Sequence, residues 1–269
     1  MELRPTFGEQ AADVLKDLGE TWRLRRMVLL LAWQDIRSKY KRSVIGPFWL
    51  TLSSAIWVGL LGSLWAMLLK KDPLVFIPWV ASGNLIWSLI NSAVGEGCNS
   101  FSKSRAFLLQ IKLPLTFPAV RLIVKNLIIL AHEALVFVCI ALYLQISPLP
   151  YWHWLLLGIV LILVNSLWVY LFLGMACARF RDLRQIIASV MKVVFFVTPI
   201  LWMPDMMQGK AHLLKFNPFY PFLNLVRSPM LGQAPEPYAL QYALVITLVG
   251  WAVTFVMFAK KRRQIVYWL

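Results

Sequence analysis

Charged residues are scarce in this sequence, 14% of 269, where a soluble domain carries about 25%. An ordinary soluble enzyme is excluded. Acidic residues are scarcer still: there are twelve, six before the first long apolar run (Glu2, Glu9, Asp13, Asp17, Glu20, Asp35) and five at loops or run ends (Asp72, Glu96, Asp182, Asp205, Glu236). Glu133 alone falls inside an apolar run. No spacing offers the paired carboxylates that acid–base catalysis needs. The three histidines, His132, His153 and His212, sit in separate segments. His132-Glu133 lacks the second histidine of a zinc-binding HExxH helix, and no GxSxG or CxxC occurs. Cys98, Cys139 and Cys177 are odd in number and scattered, so they offer neither a disulfide framework nor a metal site and read as packing residues. With 13 Gly and 15 Pro in no period, and no repeat of 20–50 residues, collagen, low-complexity and solenoid architectures are excluded. Gly97-Cys98-Asn99-Ser100-Phe101-Ser102-Lys103-Ser104 has the spacing of a phosphate-binding loop but carries Ser102 where the second glycine belongs. An apolar run precedes it instead of a strand, so a nucleotide site is not offered.

What is abundant is apolar: 60% of the side chains, with a net charge of +15. In a soluble chain that charge would suggest a nucleic-acid binder, but here it lies between apolar runs, and nucleic acid is not an expected partner. A crossing helix needs about 20 apolar residues. Runs at about 44–69, 74–94, 115–146, 152–178, 185–203 and 238–259 predict six transmembrane helices. The third run is too long for one crossing and is interrupted by Arg121 and Lys125, so its hydrocarbon portion is expected near 126–146. Nineteen of the 27 basic residues fall before the first span, in 95–114, in 179–184 and in the tail, against five (Lys70, Lys71, Lys210, Lys215, Arg227) in the opposite loops. Both termini are therefore expected in the cytoplasm. The first 26 residues are charged and the apolar stretch after them lacks a small-residue cleavage site, so no cleavable signal is expected.

Two segments fit neither loop nor span. Residues 22–42 place a seven-residue apolar run, Met27 to Trp33, between basic clusters. That suits a helix lying in the cytoplasmic interface, within a cytoplasmic segment 1–43; an ordinary juxtamembrane stop signal is the plainer alternative. Residues 204–237 hold six prolines yet also the apolar pieces Leu213 to Phe216 and Phe219 to Val226. Short helices dipping into the outer leaflet around Asn217-Pro218 are expected, with surface association as the alternative. The predicted fold is an all-α integral membrane protein of six spans, with an N-terminal interface helix, periplasmic re-entrant helices before the last span and a cytoplasmic tail at 260–269.

Charges inside spans are candidate functional groups. Glu133 and Lys192 have similar depth in spans three and five, so an ion pair is expected, unless Lys192 reaches to the headgroups on its long stem. Trp57, Trp87, Phe195 and Phe196 lie within spans, where flat rings can stack on a sugar or simply pack. The stretch 98–110 reads as a short amphipathic helix able to dock on a partner, or as a solvated loop.

Four stretches carry a resemblance. Asp35-Ile36-Arg37-Ser38-Lys39-Tyr40-Lys41-Arg42-Ser43-Val44-Ile45-Gly46-Pro47-Phe48-Trp49 resembles the approach to the first span in the permease subunits of polysaccharide-exporting ABC transporters, the O-antigen and capsule exporters. Ala178 to Arg184 with Phe196-Val197-Thr198-Pro199-Ile200 looks like that family's fourth-to-fifth span junction, Asn217-Pro218 like its re-entrant segment, and Arg263 to Trp268 like its tail. The likeness implies an ABC type-2 transmembrane domain over 33–265 in a bacterial inner membrane. It implies no cofactor on this chain, since ATP and magnesium belong to two copies of a separate ATPase. Two copies of this chain would form the conduit for an undecaprenyl diphosphate-linked polysaccharide. Arg37, Lys39, Tyr40, Lys41 and Arg42 would then meet the lipid diphosphate at the entrance. Ser102, Lys103, Arg105, Phe107 and Leu108 would form the coupling helix. Trp57, Trp87, Phe195 and Phe196 would line the conduit, and Asn217, Pro218, Phe219 and Tyr220 would form the periplasmic gate. A teichoic-acid, other lipid or drug exporter shares most of these motifs. A membrane-embedded transferase would need clustered acids or histidines, and a secondary transporter paired halves with broken spans.

Overall fold

The structure is a computed structural model that describes residues 16–105, 110 and 113–268. Every regular element among the described residues is helical. A helical stretch at 16–23 leads into α1 (Arg25–Lys39). Every fourth residue of one α1 face, Val28, Ala32 and Ile36, is buried, and α1 packs along α5 (Phe117–Tyr143). The basic run then ends at Gly46, whose φ of +56° is a left-handed turn that residues other than glycine rarely adopt. Pro47 follows in a 3₁₀ turn, and α2 (Trp49–Leu68) starts at once.

The return into α3 (Pro73–Gly97) is capped by Asp72, whose side chain accepts from the Leu74 N–H at 2.9 Å, with Pro73 in the first turn. One helical turn, α4 (Ser100–Lys103), precedes α5. α6 (Trp152–Arg179) returns across the molecule and is followed after three residues by α7 (Leu183–Val197). Short 3₁₀ turns, Pro204–Met207 and Ala211–Phe216, lead to α8 (Tyr220–Met230), and α9 (Pro237–Trp268) closes the chain.

Among the described residues, five helical stretches are long and apolar enough to cross a membrane: Gly46–Leu68, Pro73–Gly97, Phe117–Tyr143, Leu149–Arg179 and Pro237–Arg262. The chain is thus a multi-pass membrane protein. The run expected to span at 185–203 is built differently. Its helix has 15 residues, about 22 Å at 1.5 Å per residue, and stops where Pro199 forces Thr198 into extended backbone (φ −85°, ψ 134°). Arg184, at its start, donates to Ser102 Oγ at 3.3 Å. Beyond its end, Asp205 pairs with Lys71 at 2.6 Å, beside the turn between α2 and α3.

The segment before the last span is enclosed by protein. All of Tyr220 to Arg227 is buried, and α8 packs on α6, α9 and α3. Gly158 of α6 makes that approach possible, since a Cβ there would lie 3.1 Å from the Leu225 carbonyl carbon. Leu85 and Trp87 of α3, Phe137 of α5, Leu161 of α6 and Leu223 and Val226 of α8 form the main core. A second core lies at the other end, around Phe101, Tyr170, Met175, Phe258 and Ile265. Ile265 is completely buried, so the residues expected as a cytoplasmic tail continue α9 and pack. Arg262 bonds Asp17 at 2.7 Å, and Asp17 in turn accepts from the Thr116 N–H at 2.8 Å, tying the N-terminal segment to the start of α5.

Candidate functional site

Four elements meet around a cavity of about 570 Å³ at the end of the molecule where α1 lies. α1 contributes Asp35 and Lys39 with Tyr40 just beyond it, α3 contributes Glu96, α4 contributes Lys103, and α5 contributes Arg121 and Lys125. Two of the four cations are neutralised in place. Arg121 binds Asp35 through two nitrogens, Nε at 2.8 Å, and Lys125 pairs with Glu96, whose other oxygen accepts from Asn126 at 3.0 Å. Lys39 sits 5.5 Å from the Tyr40 ring centre. Among the described residues no carboxylate pairs with Lys39 or Lys103. The wall therefore carries an excess of positive charge, with the two paired cations part-buried and Lys39 and Lys103 open to solvent.

Of the five residues expected at an entrance, Tyr40 and the exposed Lys39 line this cavity, whereas Arg37, Lys41 and Arg42, also exposed, are not part of its lining. Of the five expected on a coupling helix, Lys103 lines the cavity, Ser102 accepts from Arg184 and Arg105 is exposed; Phe107 and Leu108 lie outside the described residues. Sequence reasoning missed the carboxylate partners Asp35 and Glu96. The available signal was the spacing of Arg121 and Lys125 by four, which puts two cations on one α5 face and so demands acids on the elements that cover it.

The four aromatics named from the sequence come together. The Phe195 ring centre is 6.4 Å from Trp57, 5.8 Å from Trp87 and 5.2 Å from Phe196. Phe219 adds a fifth ring, 5.9 Å from Trp87. Trp87 is buried and Phe196 exposed, so the group runs from the core to the surface of the bundle, joining α2, α3, α7 and the start of α8.

Glu133 and Lys192 do not meet. Glu133 accepts from Ser88 of α3 at 3.1 Å, and its second oxygen is buried without a partner. α7 turns Met191 inward and leaves the neighbouring Lys192 exposed, so its position along the sequence matched the depth of Glu133 but its helical phase did not.

On the far side, Asn217 donates to Thr198 Oγ1 at 2.9 Å and accepts from the Phe219 N–H at 3.0 Å, which fixes the turn into α8. Pro218 and Phe219 border an apolar recess of about 310 Å³ with Trp168 and Phe222. Tyr220 donates to Glu236 at 2.6 Å. Arg227, counted from the sequence only as an outward loop charge, is 2% exposed and donates to the Pro199 carbonyl at 2.6 Å.

Among the described residues no group of three or more His, Cys, Asp or Glu is placed to hold a metal ion. Burial and the neighbouring Cys177 push the Cys98 thiol up to about 12, so it stays protonated and unreactive. Gly97–Ser104 forms the end of α3 and the turn α4, with no strand before it. The arrangement gathers cationic side chains around a cavity at one end and packs aromatic and amide side chains toward the other.

Comparison with known proteins agrees with a transport role. The O-antigen export system permease protein RfbA of Myxococcus xanthus is 22% identical over 212 residues, covering 76% of this chain and 80% of that protein. Residues 26–231, which hold the cavity, the aromatic group and α8, match the family described as ABC-2 type transporter. Its members are membrane subunits of transporters, with ATP hydrolysis assigned to a partner ATPase. The chain belongs to the ABC-2 type transporter family, as a membrane-embedded permease subunit.

Proposed function

We propose that this chain is the membrane-spanning subunit of an ATP-driven exporter that moves a lipid-linked polysaccharide, of O-antigen or capsule type, from cytoplasm to periplasm. Two copies would form the conduit, with two ATPase subunits beneath. The cationic cavity carries the reading: Lys39 and Lys103, left without carboxylate partners beside the membrane surface, suit the diphosphate that joins a polyprenyl chain to a glycan. The similarity to an O-antigen export permease supports the same cargo class. The aromatic group offers flat faces for sugar rings between that cavity and the outer turn at Asn217 to Tyr220.

In this reading α7 and its extended continuation to Asp205 make a sixth crossing, because Arg184 touches Ser102 at one end and Asp205 touches Lys71 at the other. Both termini then lie in the cytoplasm of a bacterium, against the inner membrane. The exposed apolar faces of α2 (Ile56, Leu60, Leu64, Met67) and α7 (Ile186, Val190, Val193, Val197) supply surface for the second copy as well as for lipid. ATPase closure would be felt first at α4, push on α6, with which it packs, and open the path from the cavity to the aromatic group.

Deleting the gene in its host tests the cargo. Loss of surface polysaccharide, with undecaprenyl-linked polymer accumulating inside the cell, is the expected result. Normal surface polysaccharide without accumulated precursor would refute it and point to a teichoic acid, another lipid or a drug as cargo.

A further inference from the structure

In the sixth crossing proposed above, the stretch after Thr198 is backbone outside the helix, and such backbone persists in a membrane only where protein supplies partners. Two side chains do so, and a third holds the Thr198 hydroxyl. Trp79 of α3 donates to the Trp202 carbonyl at 3.1 Å, Asn217 donates to Thr198 Oγ1, and Arg227 of α8 donates from Nη1 to the Pro199 carbonyl at 2.6 Å. Arg227 is the unexpected member. It is a buried guanidinium, stacked 4.0 Å over the Trp79 ring and pressed against Gly83, where a Cβ would collide with it. No carboxylate pairs with it among the described residues, and its Nε and Nη2 have no hydrogen-bond partner. A permanent structural arginine is normally saturated by a carboxylate or several carbonyls. One hydrogen bond and one ring face hold less firmly, which suits a joint that must open.

We propose that Arg227 is the releasable pin of a hinge at Thr198–Pro199, holding the extended half of the α7 crossing against α3 and α8 while the outer end is shut. Withdrawal of the guanidinium from the Pro199 carbonyl frees residues 199–203 to move from α8 and exposes them to the outer side. The inference rests on 183–205 crossing the membrane and is independent of what the cargo is.

Thiol labelling of the full transporter in cells tests it, with a membrane-impermeant maleimide applied from outside to chains in which Cys139 is replaced by Ser. Asp205→Cys should label, which checks the crossing separately; protection there would remove the premise. With Arg227 present, Leu201→Cys, 7% exposed, should be protected. Arg227→Met should raise its labelling rate about tenfold or more, the effect of losing a charged hydrogen bond on a local opening equilibrium, and Arg227→Lys should fall between. Ala243→Cys, completely buried on α9, reports general loosening and should stay protected throughout. Unchanged labelling at 201 would overturn the pin, and so would labelling that rises equally at 201 and 243, because Arg227 would then be an ordinary core residue. Should Arg227→Met fail to accumulate, Asn217→Ala releases the adjoining contact to Thr198 and is read by the same pair of cysteines.

Discussion

Lys39 and Lys103 are exposed and, among the described residues, have no carboxylate partner, whereas Arg121 and Lys125 are part-buried and paired; the proposed function assigns binding to the first two and scaffold to the others. Replacing either free lysine by alanine should leave the amount of membrane-inserted protein unchanged while reducing export. A charged hydrogen bond contributes about 1.5–3 kcal/mol, so a roughly tenfold or larger drop in the rate of surface polysaccharide appearance is expected for the double variant. Arg121→Ala should instead lower the accumulated protein, because it strands Asp35 in a half-buried position; Arg121→Asp combined with Asp35→Arg should recover part of it. Immunoblotting of membranes beside a surface-glycan assay distinguishes the two classes. Lys192→Ala should be silent, within about 0.5 kcal/mol of stability, whereas Glu133→Ala removes the acceptor of Ser88 and should not be. Residue types and their depth were legible in the sequence: the span aromatics that meet at Phe195, and the cations at 39 and 103. Helical phase was not. Lys192 and Glu133 were matched by residue count along their helices, but the phase of α7 turns Met191 inward and leaves Lys192 exposed, and what packs on Met191 no local pattern encodes.

At the scale of elements, length and hydropathy located the long helices to within a few residues except at the end of α9, which runs on through the basic cluster to Trp268, since each begins as a single apolar run bounded by charge, proline or a cap such as Asp72. They failed where the run was apolar for two reasons at once. Residues 185–203 read as one span, but Pro199 divides them into a helix and an extended half held by tertiary contacts. Residues 204–237 read as short helices dipping into the outer leaflet, but hydropathy did not show that three longer helices would enclose α8. Gly158 marks that burial. Gly158→Leu should drive α8 from α6 and abolish accumulation of the folded protein, an overpacking cost of about 1–3 kcal/mol or more since backbone is in the way. Gly46→Ala meets no neighbour and should act only through its left-handed φ, about 1 kcal/mol. A size-exclusion and thermal-aggregation profile in detergent reads both.

For the whole molecule, two ends of unlike chemistry are joined by aromatic and amide side chains, with a charged cavity between α1, α3, α4 and α5 at one end and the pinned turn of α7 and α8 at the other. The family fixes the role as a transporter's membrane subunit. The most direct measurement is translocation by the complete complex with its ATPase in proteoliposomes, loaded on the ATPase side with an undecaprenyl diphosphate-linked glycan. ATP-dependent transfer of the glycan to the opposite side, reduced about tenfold when Lys39 and Lys103 are alanine, is the predicted result. A glycan that stays on its original side while ATP is hydrolysed, or transfer indifferent to both lysines, would contradict the account.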